Sequence, residues 1–169
     1  MKNEPRLAVA LWGPIVCPDA SLGLLAHSYL DRPVTDGAFA ALAQFLPKKT
    51  FKRVYIMSQG SVDVERAAGR WLQNHGFADQ TGLSLLDVFH NTNDSGVAAC
   101  CSELGVTHYV DCRVGAMTEM RSVSYFYLLR PSFEESRSHT ALYSTLISAD
   151  WPRLARRLGD GLPVWRHYG

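Results

Sequence analysis

The stretch RVYIMSQGSVDVERAAGRWLQNHG, residues 53–76, contains one complete unit of strand, turn and helix. Arg53–Met57 is a short run of mostly apolar residues that favour strands, and Ser58-Gln59-Gly60 ends it as a turn. The apolar residues that follow recur at helical spacing, and Gly76 suits the position just after a helix. Units of this kind build parallel sheets that are covered by helices.

The same alternation continues on both sides of this stretch. Further strands are predicted at Leu7–Leu11, Leu83–Phe89, Val106–Val110, Ser124–Leu129 and Ala141–Ile147. Further helices are predicted to begin at Thr35 or Asp36 and stop before Pro47, to begin at Asp94 or Ser95 and end at Gly105, and to begin at Asp150. The order predicts a single α/β domain over residues 1–169, a Rossmann-like three-layer α/β/α sandwich with a mainly parallel sheet.

Composition excludes several classes of protein. The 169 residues are 47% hydrophobic and 20% charged, as in an ordinary globular protein. The 17 Lys plus Arg nearly balance the 16 Asp plus Glu, so there is no basic field for non-specific binding of nucleic acid or a membrane surface. No stretch approaches the roughly 20 apolar residues of a membrane helix. Neither nucleic acid nor membrane is therefore predicted as a partner.

The cysteines indicate a reducing compartment. They are Cys17, Cys100, Cys101 and Cys112. This spacing includes no Cys-x-x-Cys pair and suits neither a zinc site nor a disulfide framework. The apolar run from Leu7 to Val16 is interrupted by Gly13-Pro14, which favours a buried strand over a signal peptide. We expect a cytoplasmic protein.

Ligands of open parallel sheets bind at the carboxyl ends of the strands, near the point where the strand order reverses. The residues predicted at those ends are Trp12, Gly13 and Pro14 after the first strand, Ser58, Gln59 and Gly60 after the second, His90 and Asn91 after the third, and Asp111, Cys112 and Arg113 after the fourth. The sequence thus predicts where a ligand would lie without identifying it.

Four stretches also carry a family resemblance. They are Val54–Ser58, Arg70–Phe77, Leu104–Asp111 and Ala149–Pro152. The first resembles the second motif of the haloacid dehalogenase-like (HAD-like) phosphohydrolases, a strand that ends in Ser or Thr. The next two look like the helix end and the fourth-motif strand of small capless members, and the last fits their tail. The resemblance covers most of the chain and implies a HAD-like fold.

The residues that carry the family's reaction are mostly absent. Ala10 stands where the resemblance implies a nucleophilic aspartate, and Trp12 stands where it implies the acid/base aspartate. The nearest downstream carboxylate is Asp19. Because alanine has no electron pair with which to attack phosphorus, the resemblance implies the scaffold without the reaction.

The family's metal and charge-stabilising positions are also changed. Residues 90–105 contain neither the Lys nor the Arg of the third motif. The fourth motif has Cys112 after Asp111 in place of a second acidic residue, and a thiol is a poor ligand for Mg²⁺. No resident cofactor is predicted, and Mg²⁺ would bind only if Asp111 retained it. Asp111 otherwise orders the loop at the strand end.

Two of the polar candidates have both a functional and a structural interpretation. Ser58 either binds an anion together with the amino end of the following helix, or it or Ser61 caps that helix. Cys112 is either a nucleophile with His90 or His108 as its base, or a packed thiol without reactivity.

Two further features have alternative interpretations. Trp12 either fills the site or offers a flat surface to a ring-bearing ligand. Arg153, Arg156 and Arg157 form a basic stripe on the last helix, which is either a solvated face or a surface for an acidic partner.

Together these observations predict a HAD-like pseudoenzyme, a non-catalytic protein that binds a small ligand or regulates a partner. Its degenerate site comprises Trp12, Gly13, Ser58, Gln59, Gly60, Asp111, Cys112 and Arg113, without catalytic or metal-binding residues. The expected partner is a small anionic ligand or a protein. The alternative is a phosphatase-type or esterase-type hydrolase whose rebuilt site uses Ser58, Asp111 or Cys112.

Overall fold

The computed structural model describes residues 4–18, 30–138 and 145–159. The strands of this part are β1 (Arg6–Ala10), β2 (Arg53–Gln59), β3 (Val88–Asn91), β4 (His108–Asp111), β5 (Tyr125–Leu129) and β6 (Thr145–Ser148). The helices are α1 (Ala38–Phe45), α2 (Val62–Asn74), α3 (Phe77–Thr81), α4 (Asp94–Glu103), α5 (Phe133–Ser138) and α6 (Trp151–Gly159). Short 3₁₀ helices cover Leu85–Asp87 and Ala116–Glu119.

The strands pair in the order β3-β2-β1-β4-β5-β6, and every pair is parallel. The chain builds outward from β1 in one direction through β2 and β3, then returns to the other side of β1 for β4, β5 and β6. The reversal lies between β1 and β4, so their carboxyl ends form the switch point at which such sheets bind ligands. The predicted fold, a Rossmann-like α/β/α sandwich with a parallel sheet, is confirmed.

Strand β1 is apolar because it is buried on both faces. Leu7 and Val9 belong to the core beneath α1, α2, α3 and α6, whereas Ala8 and Ala10 belong to the core beneath α4. Side chains of a strand alternate between its faces, so a central strand with helices on both sides reads as a continuous apolar run. The run from residue 7 is therefore the internal strand that the sequence indicates.

Two of the three helix starts that were predicted from capping residues are wrong by one or two positions. Gly37, with φ of 78°, precedes α1, because a side chain there would press against Trp151 and Pro152. The hydroxyl of Thr35 instead donates to the carbonyl of Gly13 at 2.9 Å. Helix α4 is capped by Asn93, not by Asp94 or Ser95, and the Asn93 Oδ1 accepts from the amide of Gly96 at 2.8 Å.

The middle strands also differ from their predicted bounds. Strand β2 continues through Ser58 and Gln59, which makes both residues part of the sheet and not of a turn. The predicted strand at Leu83–Phe89 begins only at Val88, because residues 85–87 form a 3₁₀ helix that Ser84 caps. Residues 141–144 of the last predicted strand lie outside the described residues. Helices α3 and α5 are short, and the sequence analysis did not identify them.

The described residues include neither a helix that could span a membrane nor a disulfide bond. None of their helices is long and apolar enough to cross a membrane. All four cysteines lie within the described ranges, and each is a free thiol.

Helix α6 is fixed to the sheet at its first turn. Asp150 caps it as predicted, since its Oδ1 accepts from the amide of Arg153 at 2.9 Å. Trp151 is completely buried, and its indole N–H donates to the carbonyl of Pro14 in the loop after β1. One side chain thus joins the last helix to the carboxyl end of the first strand.

We predict that Trp151→Phe lowers the free energy of unfolding by about 2 to 3 kcal/mol, because it leaves a buried acceptor without its donor and removes packed volume. Urea denaturation would measure the loss. The control is Leu86→Ala, at a side chain that is 87% exposed, for which we expect a change below about 0.5 kcal/mol. Equal effects of the two substitutions would contradict the role given to Trp151.

Candidate functional site

The carboxyl ends of β1 and β4 enclose a cavity of about 20 Å³. Its lining is Ala10, Trp12, Met57, Gln59, Val97, Tyr109, Asp111 and Arg113. A volume of this size holds about one water molecule. Residues from the predicted strand ends therefore do line a common cavity at the switch point. This cavity has no room for an organic ligand or a phosphate in this structure.

The register of the sheet sets Ala10 beside Asp111. Val9 pairs with Val110, so the next residues of the two strands, Ala10 and Asp111, also lie side by side. Both line the cavity together with Trp12. The position nearest to the carboxylate on β1 is thus occupied by a methyl group, which can neither attack an electrophile nor transfer a proton.

The loop after β1 packs tightly against the loop after β4. Gly13 has φ of 106°, and a Cβ at this position would lie 2.9 Å from the Cys112 Sγ. The residue is therefore restricted to glycine by its backbone and by its neighbour. Trp12 and Val16 form a β-bridge across the same turn. Gly13 and Cys112, both predicted site residues, are therefore closely packed against each other, but neither lines the cavity.

Asp111 is buried, and its carboxylate is occupied by the protein itself. Oδ1 accepts from the amides of Cys112 at 2.7 Å and Arg113 at 3.3 Å, and Oδ2 accepts from the Tyr109 hydroxyl at 3.1 Å. Burial raises the pKa of Asp111 to about 6, against the lowering effect of the Arg113 charge and the hydrogen bonds. The side chain orders the end of β4, which is the structural interpretation considered above.

Cys112 is not an activated thiol. Burial, reinforced by the neighbouring Asp111 charge, raises its pKa to about 12, so at neutral pH it carries its proton. Neither histidine proposed as its base forms a hydrogen bond with it in the described structure. His108 is buried against Phe51 and Tyr125, and burial lowers its pKa to about 4. The Cys112 nucleophile hypothesis is not supported by this geometry.

Arg113 is the cation nearest to Asp111 at the mouth of the cavity. Its Nη2 lies 3.9 Å from the Asp94 Oδ1, and its side chain is about half exposed. Gln59 lines the same cavity from β2. These two residues, with Trp12 and Asp111, are the predicted site residues that the structure brings together at the switch point.

Ser58 lies on the opposite face of the sheet. It follows Val54 and Ile56 along β2 toward the α2 side, whereas Gln59 follows Met57 toward the α4 side. The Ser58 Oγ is buried and lies 3.0 Å from the His90 Nδ1. The sequence grouped Ser58 with Asp111, but the two side chains belong to different sides of the sheet.

The Ser58–His90 pair has a defined proton arrangement. The His90 Nε2 lies 3.1 Å from the Gly60 carbonyl oxygen, which can only accept, so Nε2 carries the hydrogen. In the neutral ring, Nδ1 is then the acceptor for the Ser58 hydroxyl. Both residues line a second cavity of about 270 Å³ between α2 and the sheet.

The N-terminal cap of α2 is Ser61 and not Ser58. The Ser61 Oγ accepts from the amide of Val64 at 3.4 Å. The hydroxyl of Ser58 is engaged by His90 instead. Gly60 is needed for packing, since a Cβ there would lie 2.7 Å from the Val64 side chain.

The residues at the switch point do not fit a magnesium site. Nowhere in the described ranges do three His, Cys, Asp or Glu side chains come together as a metal ion would require. Both Asp111 oxygens already accept hydrogen bonds, and no second carboxylate lines the cavity in the same part of the chain. Asp19, the nearest downstream carboxylate, lies outside the described residues.

Tyr109 belongs to the site but was not predicted there from the sequence. Its hydroxyl reaches Asp111 because the two residues are two positions apart on β4 and therefore share a face. Period-two spacing from Asp111 was the available signal. His90 was placed at a strand end but was not paired with Ser58 specifically, because that pairing depends on the β2–β3 register.

Comparison with known proteins leaves the family open. Neither the protein-family models nor the curated proteins contain a match to this chain. The HAD-like resemblance therefore stays a prediction that rests on the quoted motifs.

We predict that Asp111→Asn stabilises the protein in a pH-dependent way. The folded-state pKa of about 6 exceeds the unfolded value of 3.8, so the native state binds more protons between these values and the wild type loses stability as pH rises. The variant lacks this loss, and its advantage should grow from near zero at about pH 4 to about 3 kcal/mol above pH 6.

Urea denaturation of both proteins at several pH values would measure this difference. Asp79→Asn, which removes an exposed carboxyl, is the control and should differ from the wild type by less than about 0.5 kcal/mol throughout. An Asp111→Asn advantage that stays flat with pH would contradict the raised pKa.

Proposed function

We propose that this protein is a non-catalytic binding or regulatory protein, a HAD-like pseudoenzyme whose switch-point site has lost phosphohydrolase chemistry. The observation that carries the proposal is the arrangement at the ends of β1 and β4. Ala10 lies beside Asp111 where a nucleophile would be needed, and Trp12 lines a cavity of about 20 Å³ that cannot admit a phosphoester. Reactant and catalytic group therefore cannot meet there.

The electrostatics of the switch point support the same proposal. Phosphoryl transfer depends on positive charge around the transferred group, usually from metal ions together with Lys or Arg. Arg113 is the cationic side chain that lines this cavity in the described structure. The Asp111 carboxylate faces inward to Tyr109 and two backbone amides, so it is an ordering group for the β4 end.

We predict that the wild type and Asp111→Asn show the same absence of p-nitrophenyl phosphate hydrolysis, with and without Mg²⁺. The physical reason is that the substrate has no access to Asp111 and no nucleophile faces it. The assay includes an active phosphatase in the same buffers as a positive control. Mg²⁺-dependent turnover by the wild type that Asp111→Asn abolishes would overturn the proposal.

Binding can be tested independently of turnover. A thermal-shift screen with phosphate, nucleotides, sugar phosphates and carboxylates detects any ligand of the folded state. A ligand at a hundredfold excess over its dissociation constant stabilises the native state by about 2.7 kcal/mol. The proposal expects a stabilising ligand whose effect survives in Asp111→Asn.

A second candidate function is favoured by the Ser58–His90 pair. A serine hydroxyl that donates to a histidine, which is itself oriented by a second hydrogen bond, has the arrangement of an activated nucleophile. In this candidate the Ser58 Oγ attacks an ester carbonyl while the His90 Nδ1 accepts the hydroxyl proton. The ester C–O bond breaks and the alcohol leaves with that proton, after which water cleaves the acyl-serine, releases the acid and restores the Ser58 hydroxyl. The cavity of about 270 Å³ beside the pair admits a small acyl group.

This candidate predicts hydrolysis of p-nitrophenyl acetate that falls to background in Ser58→Ala and in His90→Ala. The matched control is Ser61→Ala, which removes the α2 cap at a cost of about 1 kcal/mol in stability but leaves the pair intact. Hydrolysis that is absent in the wild type, or that is equal in Ser58→Ala and Ser61→Ala, excludes this candidate.

A further inference from the structure

A further cavity lies away from the switch point, at the carboxyl ends of β5 and β6, with a volume of about 850 Å³. Its polar lining includes Arg130, Ser148, Arg153, Arg156 and Arg157. Arg130 follows β5 directly, and the other three arginines lie on α6. We call this cavity the arginine groove.

Backbone hydrogen bonds fix the positions from which the arginine side chains extend. The amide of Arg130 donates to the Ser148 carbonyl at 2.9 Å, which joins the ends of β5 and β6. The buried Ser148 hydroxyl donates to the Asp150 carbonyl at 3.0 Å, and the Asp150 side chain caps α6. The arginine side chains therefore extend from one strand end and one helix whose relative position is fixed by hydrogen bonds. This arrangement favours a preorganised site.

The groove carries almost no compensating negative charge. Arg153 lies 3.8 Å from the Asp150 carboxylate, on the exposed surface. No carboxylate of the described residues lies within 4.0 Å of the Arg130, Arg156 or Arg157 guanidinium groups, and no acidic residue of that part lines the cavity. Concentrated positive charge in a concave surface attracts anions and raises their local concentration.

The spacing on α6 adds to this concentration of charge. Arg153, Arg156 and Arg157 are three and four positions apart, so they are neighbours on the helix surface and repel one another. The helix dipole favours cations in the last turn, where Arg156 and Arg157 lie, but not in the first turn, where Arg153 lies. An anion in the groove would relieve the repulsion among all three.

Arg130 also adopts a backbone conformation that is unfavourable for its residue type. Its φ is 48°, and Lys49 is the other non-glycine residue of the described chain with positive φ. Glycine adopts this conformation with less strain. At this position a strained backbone therefore carries a side chain that lines the groove, as is frequent at ligand sites.

We infer that the arginine groove binds a small molecule with several phosphate groups, about the size of a nucleoside triphosphate. Guanidinium groups bind phosphate oxygens through paired N–H donors, and four of them match the charge of such a ligand. The volume lies within the range of small-molecule sites, and Ile147, 42% exposed in the lining, offers apolar surface to the rest of the ligand. The inference rests on the proposed binding function and names its ligand class.

The test is calorimetric titration of the full chain with inorganic tripolyphosphate and with ATP. Both should bind, and salt should weaken both interactions. Arg156→Gln/Arg157→Gln should weaken binding by about tenfold or more, because two charge-assisted contacts are lost. The matched control, Arg66→Gln/Arg70→Gln, removes the same charge from the exposed surface of α2 and should leave affinity within about twofold.

A second pair of variants distinguishes a loss of binding in the groove from a loss of stability. Arg130→Gly keeps the observed backbone conformation, removes one guanidinium and should weaken tripolyphosphate binding without loss of stability. Lys49→Gly makes the same backbone change at the other positive-φ residue, away from the groove, and should leave binding unchanged.

Three results would overturn the inference. Equal losses in the two double variants would assign the binding to net charge alone. Wild-type binding that the groove variants do not change would place the anion elsewhere and leave the proposed binding function standing. Failure to bind either polyphosphate, with groove-dependent binding of a poly-glutamate peptide or an oligonucleotide, would assign the groove to an acidic macromolecule. Failure of the proposed function itself would be recognised separately, by Asp111-dependent turnover.

Discussion

Burial of β1 on both faces is the constraint on which the rest of the structure depends. The strand lies between β2 and β4, with one core beneath α1, α2, α3 and α6 and another beneath α4. A ligand can therefore approach the strand at its carboxyl end, where the chain leaves the sheet. That end is closed by Trp12, by contact of Gly13 with Cys112 and by the Trp151 hydrogen bond to Pro14. The cavity of about 20 Å³ beside Ala10, Trp12 and Asp111 is what this packing leaves at the switch point.

Because the side chains of a strand alternate between the two faces of the sheet, residues that are adjacent in the sequence can belong to different sites. Ser58 and Gln59 are adjacent in the chain, but β2 continues through both and sends their side chains to opposite faces. Gln59 joins Asp111 in the small cavity, and Ser58 joins His90 in the cavity beside α2. The molecule therefore has two distinct polar centres at this edge, with a buried carboxylate on one face and a hydrogen-bonded serine and histidine on the other.

The positive charge of the protein is concentrated away from both centres. The switch-point cavity contains Arg113 beside Asp111, whereas the arginine groove gathers four guanidinium groups around a volume about forty times larger. Net charge conceals this arrangement because acidic residues elsewhere balance it. The closed switch point and the open basic groove are the two observations on which the proposed binding function rests.

Much of the fold follows from local sequence. Apolar runs such as Val54–Met57 predict buried strands, and Gly76 and Asp150 mark helix ends because their backbone and side-chain preferences are local. Ala10 and Trp12 likewise carry no carboxylate, and the HAD-like resemblance is what turns this into the prediction of a missing nucleophile. What only the tertiary structure decided was which distant residues meet: Ser58 with His90, Ala10 with Asp111, and Arg130 with the arginines of α6. These contacts depend on the register between neighbouring strands and on the approach of segments that are distant in the sequence. Local residue preferences specify neither.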